Sequence, residues 1–388
     1  MASIEIYTPT RIVFGAGCLD ELAEAQLPGS RALVCTTRSS RPAKHALIER
    51  VQGLLRQAGA DSVVFDGLSA NPTKDEVHAA RDLAADEGCD FVVGLGGGSS
   101  IDAAKAIAAL MRMPGDLWDY AYTGSGLKRE ITDAAPVVTI TTTAGTGSET
   151  DPYSVITKTE TQEKLDFAAE ALFPVLSVID PELMVSVPRN LTLYQGIDAL
   201  FHAAECAITN RAESRMVDLL ARESIESVVR WLPVVLDEPG NIEGRTALAF
   251  AANICSGYTQ ALINTTSHHI IAQTIGGMFP RAEHGATLIM IALAYYRSIA
   301  RFVPQELDHV AAYFGEQPDG TGAAFVTALE KLFTATGADA VRMSDYGIAR
   351  DDLPAIADAA VNRTGIADVD LYTLTERDVL DILERSYR

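Results

Sequence analysis

The residues able to do chemistry gather between Gln195 and His284. Gly196-Ile197-Asp198-Ala199-Leu200-Phe201-His202 is followed, much later, by Ser267-His268-His269 and by Glu283-His284-Gly285. Asp198 and His202 stand one helical turn apart in a run without helix breakers, so on a helix they share a face. His269 and His284 lie in a second segment able to fold back against the first. One carboxylate with three imidazoles suits a divalent transition metal such as Fe2+ or Zn2+, each ligand being unprotonated when it binds. An Asp-x-x-x-His pair alone carries little weight, and single histidines are ordinarily surface or core residues. Four of the seven histidines in the chain (His202, His268, His269, His284) nevertheless fall in this window, and that concentration favours a metal.

Two loops complement this cluster. The strand-like run Phe91-Val-Val-Gly-Leu95 leads into Gly96-Gly97-Gly98-Ser99-Ser100 and then into a helical stretch with Asp102 and Lys105. A glycine loop between a strand and a helix N-terminus presents backbone N–H groups and the helix dipole to a phosphate. It is neither G-x-G-x-x-G nor a Walker A sequence, and the plainer alternative is a tight turn. The second loop, Thr141-Thr142-Thr143-Ala144-Gly145-Thr146-Gly147-Ser148-Glu149, follows the next strand and offers hydroxyls and backbone to a ribose, a phosphate or an amide. Together the two loops make a dinucleotide a better expectation than either does alone. After the strand 32–36 comes Thr37-Arg38-Ser39-Ser40-Arg41. Many dinucleotide folds place an acid there to hold the ribose diol; two arginines and two serines instead favour NADP over NAD.

The elements that must position these residues change character along the chain. Short strands at Ile4–Tyr7 and Arg11–Phe14 and a helix over 19–26 come first. Strands at 32–36, 62–65, 91–95 and 137–141 then alternate with helices at 43–58, 75–87 and 99–111, the signature of a parallel sheet covered on both faces. From Thr192 onward the pattern is helical: 192–208, 213–235, 244–261, 266–277, 285–302, 305–314, 321–336 and further helices after Met343. The expected organisation is an α/β domain over residues 1–183 and an all-α domain over 184–388.

Composition narrows the function. With 388 residues, 48% hydrophobic and 21% charged, the chain is long enough for two domains and too apolar to be disordered. A net charge of −21 would be repelled by nucleic acid and by anionic membranes. Five scattered cysteines without a C-x-x-C fit a reducing compartment. The first residues do not read as a signal peptide, and no apolar run approaches a membrane span, so a cytoplasmic protein is expected.

The combination Gly96-Gly-Gly-Ser99, Asp102-x-x-Lys105, Thr142-Thr-Ala-Gly-Thr-Gly-Ser-Glu149, Asp180-Pro181, Gly196-x-Asp198-Ala-x-x-His202 and Glu283-His284-Gly285 resembles the iron-containing (group III) alcohol dehydrogenases, which include lactaldehyde reductase and butanol dehydrogenases. The resemblance runs over essentially the whole chain. It implies a Rossmann-like parallel-sheet domain followed by an all-helical one, and metal ligation by Asp198, His202, His269 and His284, with His269 preferred to His268. It implies cofactor contacts from Gly97, Gly98, Ser99, Thr142, Thr143, Thr146 and Lys164, with Ser148 nearby; Thr37 and Asp102 join them as candidates. Asn71-Pro72-Thr73 matches a loop near the substrate in relatives. The implied reaction is hydride transfer between NAD(P) and a small alcohol/aldehyde pair by a homodimer or larger homo-oligomer. Two departures stand out. Relatives often carry a second histidine one turn after the third ligand, where this chain has Gln273, which cannot titrate. A proton would then move through water and ribose hydroxyls, or through another residue such as His268. Tyr153 also replaces a smaller polar residue of some relatives. The alternatives are a maleylacetate-reductase-like or dehydroquinate-synthase-like enzyme on the same scaffold, and a non-catalytic nucleotide-binding protein. No basic cluster suits the multiply anionic substrate of a synthase, and all four implied ligands are present, against a non-catalytic protein.

Overall fold

The computed structural model describes residues 6–210, 213–365 and 370–388. Its chain forms two compact units, one of Thr8–Thr143 with Ser148–Val185, the other containing Ala144–Gly147 with Ser186–Arg388.

The first unit is built on eight strands: β1 (Arg11–Phe14), β2 (Arg31–Thr37), β3 (Asp61–Leu68), β4 (Phe91–Gly96), β5 (Val137–Thr141), β6 (Tyr153–Lys158), β7 (Glu163–Ala168) and β8 (Leu176–Ile179). Six of them form one parallel sheet in the order β1-β8-β5-β4-β2-β3. The runs Phe-Val-Val-Gly-Leu-Gly of β4 and Val-Val-Thr-Ile-Thr of β5 are buried throughout, as central strands covered on both faces must be. Helices α1 (Pro42–Gln57), α2 (Lys74–Asp86) and α3 (Gly98–Arg112) follow β2, β3 and β4. Cores on either side of the sheet centre on Leu33, Val92 and Ile107, and on Val34, Val93 and Ile140. In the register Gly96 lies beside Thr141, and Cys35 of β2 beside Gly94 of β4. The carboxyl ends of β2, β4 and β5 therefore lie side by side, where open parallel sheets bind ligands.

Four local expectations are corrected. β8, where no strand was expected, is a sheet strand between β1 and β5; a four-residue apolar run is ambiguous by periodicity alone. β6 and β7, not anticipated, form a separate antiparallel hairpin with Gln162 at φ 54° in its turn. The expected helix 19–26 is a 3-10 helix, Cys18–Glu24, whose entry is held by Asp180 accepting from the amides of Gly17 and Leu19. The expected strand Ile4–Tyr7 falls partly outside the described residues, and Ile6 and Tyr7 lie in no strand.

The second unit is helical: α4 (Arg189–Ile208), α5 (Arg215–Asp237), α6 (Ile242–Ala249), α7 (Gly257–Leu262), α8 (Ser267–Met278), α9 (His284–Ile299), α10 (Pro304–Tyr313), α11 (Ala323–Thr336), α12 (Leu353–Ala359) and α13 (Glu376–Ser386). The single helix expected over 244–261 is interrupted by a π-helical turn, Phe250–Ser256, between α6 and α7. Just beyond it the Gly147 backbone, at φ +72°, comes so close to Gly257 that a Cβ on Gly147 would lie 2.6 Å from its Cα. α4 is the centre of this unit, buried on nearly all sides from Gly196 to Ile208. Its Ala- and Leu-rich sequence has high helix propensity, and a helix apolar all round belongs inside a bundle. Among the described residues no helix is long and apolar enough to cross a membrane.

Candidate metal centre and dinucleotide loops

Asp198 and His202 occupy successive turns of α4, His269 the first turn of α8 and His284 the first residue of α9. Gly285 allows the last of these to arrive. A Cβ there would lie 2.2 Å from the Tyr194 carbonyl oxygen, so only glycine lets α9 begin against α4 one turn before Asp198. Asp198 Oδ1 lies 3.7 Å from His202 Nδ1, 3.5 Å from His269 Nε2 and 3.6 Å from His284 Nε2; ligand atoms of Asp198, His269 and His284 all fall within 4.8 Å of one another, and His202 flanks that group beside Asp198 and His269. The rings of His202 and His269 stack at 4.4 Å between centroids.

These separations are long for a charge-assisted hydrogen bond, which is about 2.8 Å. They match neighbouring ligands of one ion, since donors about 2.1 Å from a tetrahedral centre sit about 3.4 Å apart. Asp198 Oδ1, His202 Nδ1 and His269 Nε2 are all buried without a hydrogen-bond partner. A buried, orphaned set of one carboxylate oxygen and two imidazole nitrogens would be costly unless a cation completes it, so the residues present fit a divalent metal. Burial acts to raise the Asp198 carboxyl, but His202, His284 and His269 beside it hold it well below the usual carboxylate range. Burial lowers His202 to about 4, outweighing the pull of Asp198. His269 is likewise opposed by burial, yet Glu205 and Asp198 raise it to about 9. His284 is the most open of the four, its side chain 24% exposed against 7% or less for the others.

Glu205 escaped the sequence reading. It lies on α4 seven positions after Asp198, on the same face, and is fully buried. Its Oε1 accepts from His268 Nδ1 at 2.7 Å and His269 Nδ1 at 2.8 Å, with the Tyr296 hydroxyl at 3.4 Å. Its Oε2 accepts from the Thr266 amide at 2.8 Å and hydroxyl at 2.9 Å. Against burial, His269 and His268 hold this carboxyl well below its usual range. A glutamate inside Ala-Ala-Glu-Cys-Ala-Ile was the available signal, because an acid in an apolar helix face needs buried donors. His268 is fully buried, with its Nε2 3.1 Å from the Leu288 carbonyl. Both of its ring nitrogens are thus engaged, one with Glu205 and one with the Leu288 carbonyl.

The cofactor candidates of the α/β unit cluster at the sheet's carboxyl edge. Gly97 caps α3 without a side chain and Gly98 begins it, leaving first-turn amides for a ligand; the Ser99 hydroxyl donates to the Ala70 carbonyl. The Thr142 amide donates to the Gly96 carbonyl at 2.9 Å, tying the two loops together, and the Thr143 amide donates within its own loop to Thr141 Oγ1 at 3.4 Å. Thr37 accepts from Lys44 Nζ at 2.6 Å, while Arg38 and Arg41 are exposed beside it. Lys164 Nζ donates to Asn71 Oδ1 at 2.9 Å.

Asp102 and Ser148 face inward. Ser148 Oγ donates to Asp102 at 2.7 Å and accepts from Lys105 at 2.8 Å, and Asp102 Oδ2 accepts from the Val155 amide. Lys105, fully buried, also reaches Asp151 Oδ1 at 2.9 Å and the carbonyls of Asp151 and Tyr153. Burial pushes Asp102 up to about 6, raises Asp151, and pushes neighbouring Glu149 up to about 7. Thr146 lies in the helical unit, where its carbonyl accepts from Gln260 Nε2 at 2.8 Å and the adjacent Gly145 backbone bonds the His202 ring.

The sequence and the fold match a known class. Residues 9–181 match the family model of the iron-containing alcohol dehydrogenases, and residues 192–387 match the C-terminal model of the same family. The chain belongs to the iron-containing alcohol dehydrogenase family, and so to the oxidoreductases. Among its relatives, the NAD-dependent methanol dehydrogenase of Bacillus methanolicus is 30% identical over 90% of this chain and 91% of its own length. The 1,3-propanediol dehydrogenase of Citrobacter freundii is 29% identical over 96% of both. Of solved structures, an archaeal halo-thermophilic alcohol dehydrogenase from a Red Sea brine pool superposes with a TM-score of 0.92 at 27% identity over 100% of both chains. An NADH-dependent butanol dehydrogenase from Thermotoga maritima gives 0.89 at 28% identity, covering 100% of this chain and 99% of that one.

Proposed function

We propose that this protein is a divalent-metal-dependent, NAD(P)-dependent alcohol dehydrogenase/aldehyde reductase acting on small alcohols and aldehydes. The observation that carries the reading is that Asp198 Oδ1 lies 3.5–3.7 Å from a ring nitrogen of His202, His269 and His284, with ligand atoms of Asp198, His269 and His284 close enough together to share one ion. Asp198, His202, His269 and His284 would hold Fe2+ or Zn2+. Such an ion supplies Lewis acidity to the alcohol or carbonyl oxygen.

The remaining roles fall to the chain's own groups. Asp198 and the imidazoles fix the donor geometry, and the buried positions of the first three keep water off that side. His284, the most open donor, marks the side from which a substrate oxygen approaches. Gly97, Gly98 and Ser99 at the start of α3, with Thr142 and Thr143, suit the pyrophosphate and ribose of a dinucleotide. Thr146, Ser148, Lys164 and Asp102 complete the proposed cofactor set, the last two through Asn71 and Ser148. Thr37 with exposed Arg38 and Arg41, where an acid would hold a ribose diol, favours NADP over NAD. Relatives named for methanol, 1,3-propanediol and butanol support a short substrate.

The test is oxidation of NADPH and NADH, side by side, with a panel of short aldehydes. Protein stripped of metal is compared with protein reloaded with Fe2+ or Zn2+. Turnover that returns only with metal, and faster with NADPH, is expected. Undiminished turnover in the stripped protein would overturn the metal's role, and silence with every aldehyde despite bound metal would overturn the substrate class.

A further inference from the structure

We infer that Glu205 is a positioning residue that decides which of two consecutive histidines, His268 or His269, serves the metal centre, and through which ring nitrogen. The inference rests on the metal reading above and concerns a residue outside the four ligands. Its basis is the division of labour between the two carboxylate oxygens. Oε2 takes both the amide and the hydroxyl of Thr266, the residue that caps α8 by accepting from the His268 amide. That fixes the position and rotation of the helix start. Oε1 takes the Nδ1 of His268 and the Nδ1 of His269 together, at 2.7 and 2.8 Å.

Each contact has a chemical consequence. An ionised carboxylate only accepts, so Nδ1 of His269 must carry the proton. Nε2, 3.5 Å from Asp198 Oδ1, is then the nitrogen that would give up its proton to bind a metal. His268, bound to Glu205 through one nitrogen and to the Leu288 carbonyl through the other, is turned away from the cluster. It is wedged edge-on to Phe201 and stacked on Tyr295. One carboxylate thus retains one histidine as scaffold and presents its neighbour as donor. Partners of this kind orient metal-binding imidazoles, and their loss typically weakens metal affinity about 10- to 100-fold.

The experiment uses the full-length protein and its Glu205→Gln variant, each stripped of metal and titrated with Co2+ against a chromophoric chelator, with the visible Co2+ spectrum recorded. Glutamine keeps the side-chain length but replaces one acceptor oxygen by an NH2 donor facing N–H groups. The expected result is Co2+ binding weakened about 10- to 100-fold and an altered ligand-field spectrum, with the helical circular-dichroism signal retained. Unchanged affinity and spectrum in the variant would overturn the role of Glu205. Failure of the unaltered protein to bind Co2+ would instead overturn the metal reading itself. A second measurement needs no variant: long-range 1H–15N correlation of the histidine rings in the Zn2+-loaded protein. Nδ1–H with a metal-bound Nε2 on His269, and no metal-shifted nitrogen on His268, is expected. The opposite tautomer on His269, or metal on His268, would refute the inference even if Glu205→Gln does not fold.

Discussion

Two groups of buried carboxylates, one in each unit, solve the same electrostatic problem in opposite ways. In the helical unit Asp198 and Glu205 sit among histidines that hold both well below the usual range. In the α/β unit Asp102, Asp151 and Glu149 surround a single buried Lys105, and burial wins: all three are raised. In the second group Lys105 Nζ meets four acceptors at 2.7–2.9 Å, one of them on Asp151, and Ser148 links it to Asp102. The first leaves Asp198 Oδ1, His202 Nδ1 and His269 Nε2 side by side without hydrogen-bond partners. Depressed acids alone do not distinguish a site from a scaffold; orphaned donors set side by side do.

The largest effect should come from breaking the open cluster. Asp198→Ala is expected to lose bound metal, measured by elemental analysis, and to lower kcat/KM about 10^3-fold or more, with helix content unchanged. Breaking the closed cluster should do the reverse. Lys105→Met strands Asp151 and Asp102 without their cation, so urea denaturation should show a loss of about 3–5 kcal/mol while metal content stays at the unaltered level. Equal metal loss in both variants would erase the contrast.

Glu149 sharpens the comparison through pH. Its folded carboxyl titrates near 7 against an ordinary 4.5, so between those values the native state binds more protons than the unfolded one. Stability contributed at this position therefore falls as pH rises from about 4.5 to about 7 and is level above. Glu149→Gln removes that slope, and its advantage at pH 8 over pH 4 should reach about 3 kcal/mol at most. Parallel stability–pH curves for the two proteins would show that burial does not govern the group. The smallest effect is expected for Ser148→Ala, which removes the hydroxyl between Lys105 and Asp102. About 1 kcal/mol of stability, without change in metal content, is the outcome denaturation curves should give.

The sequence carried the alternation of strands and helices because central parallel strands such as 91–95 are apolar end to end. It carried Asp198 and His202 because helical spacing is visible in one segment. It hid β8, four residues long, and the β6–β7 hairpin, whose alternation is diluted by polar residues. It also hid Glu205, whose donors lie on α8 and α9, far along the chain. His268 and His269 are indistinguishable as letters; what separates them is the rotation of α8 about its axis, set by contacts that only the folded chain possesses.

The short stretch Ala144–Gly147 bears on how the gene could be divided. By chain position it belongs to the sheet, yet it is counted with the helices. A fragment beginning at Ser186 would encode all ten helices α4–α13 and still lack a part of itself. The notch beside Gly257 would stand empty, and Gln260 and the His202 ring would lose the backbone acceptors that Thr146 and Gly145 provide. The helical unit is therefore discontinuous: Ala144–Gly147, and Ile6 and Tyr7 from the start of the chain, are counted with Ser186–Arg388, so a cut at Ser186 removes parts of the unit it is meant to isolate.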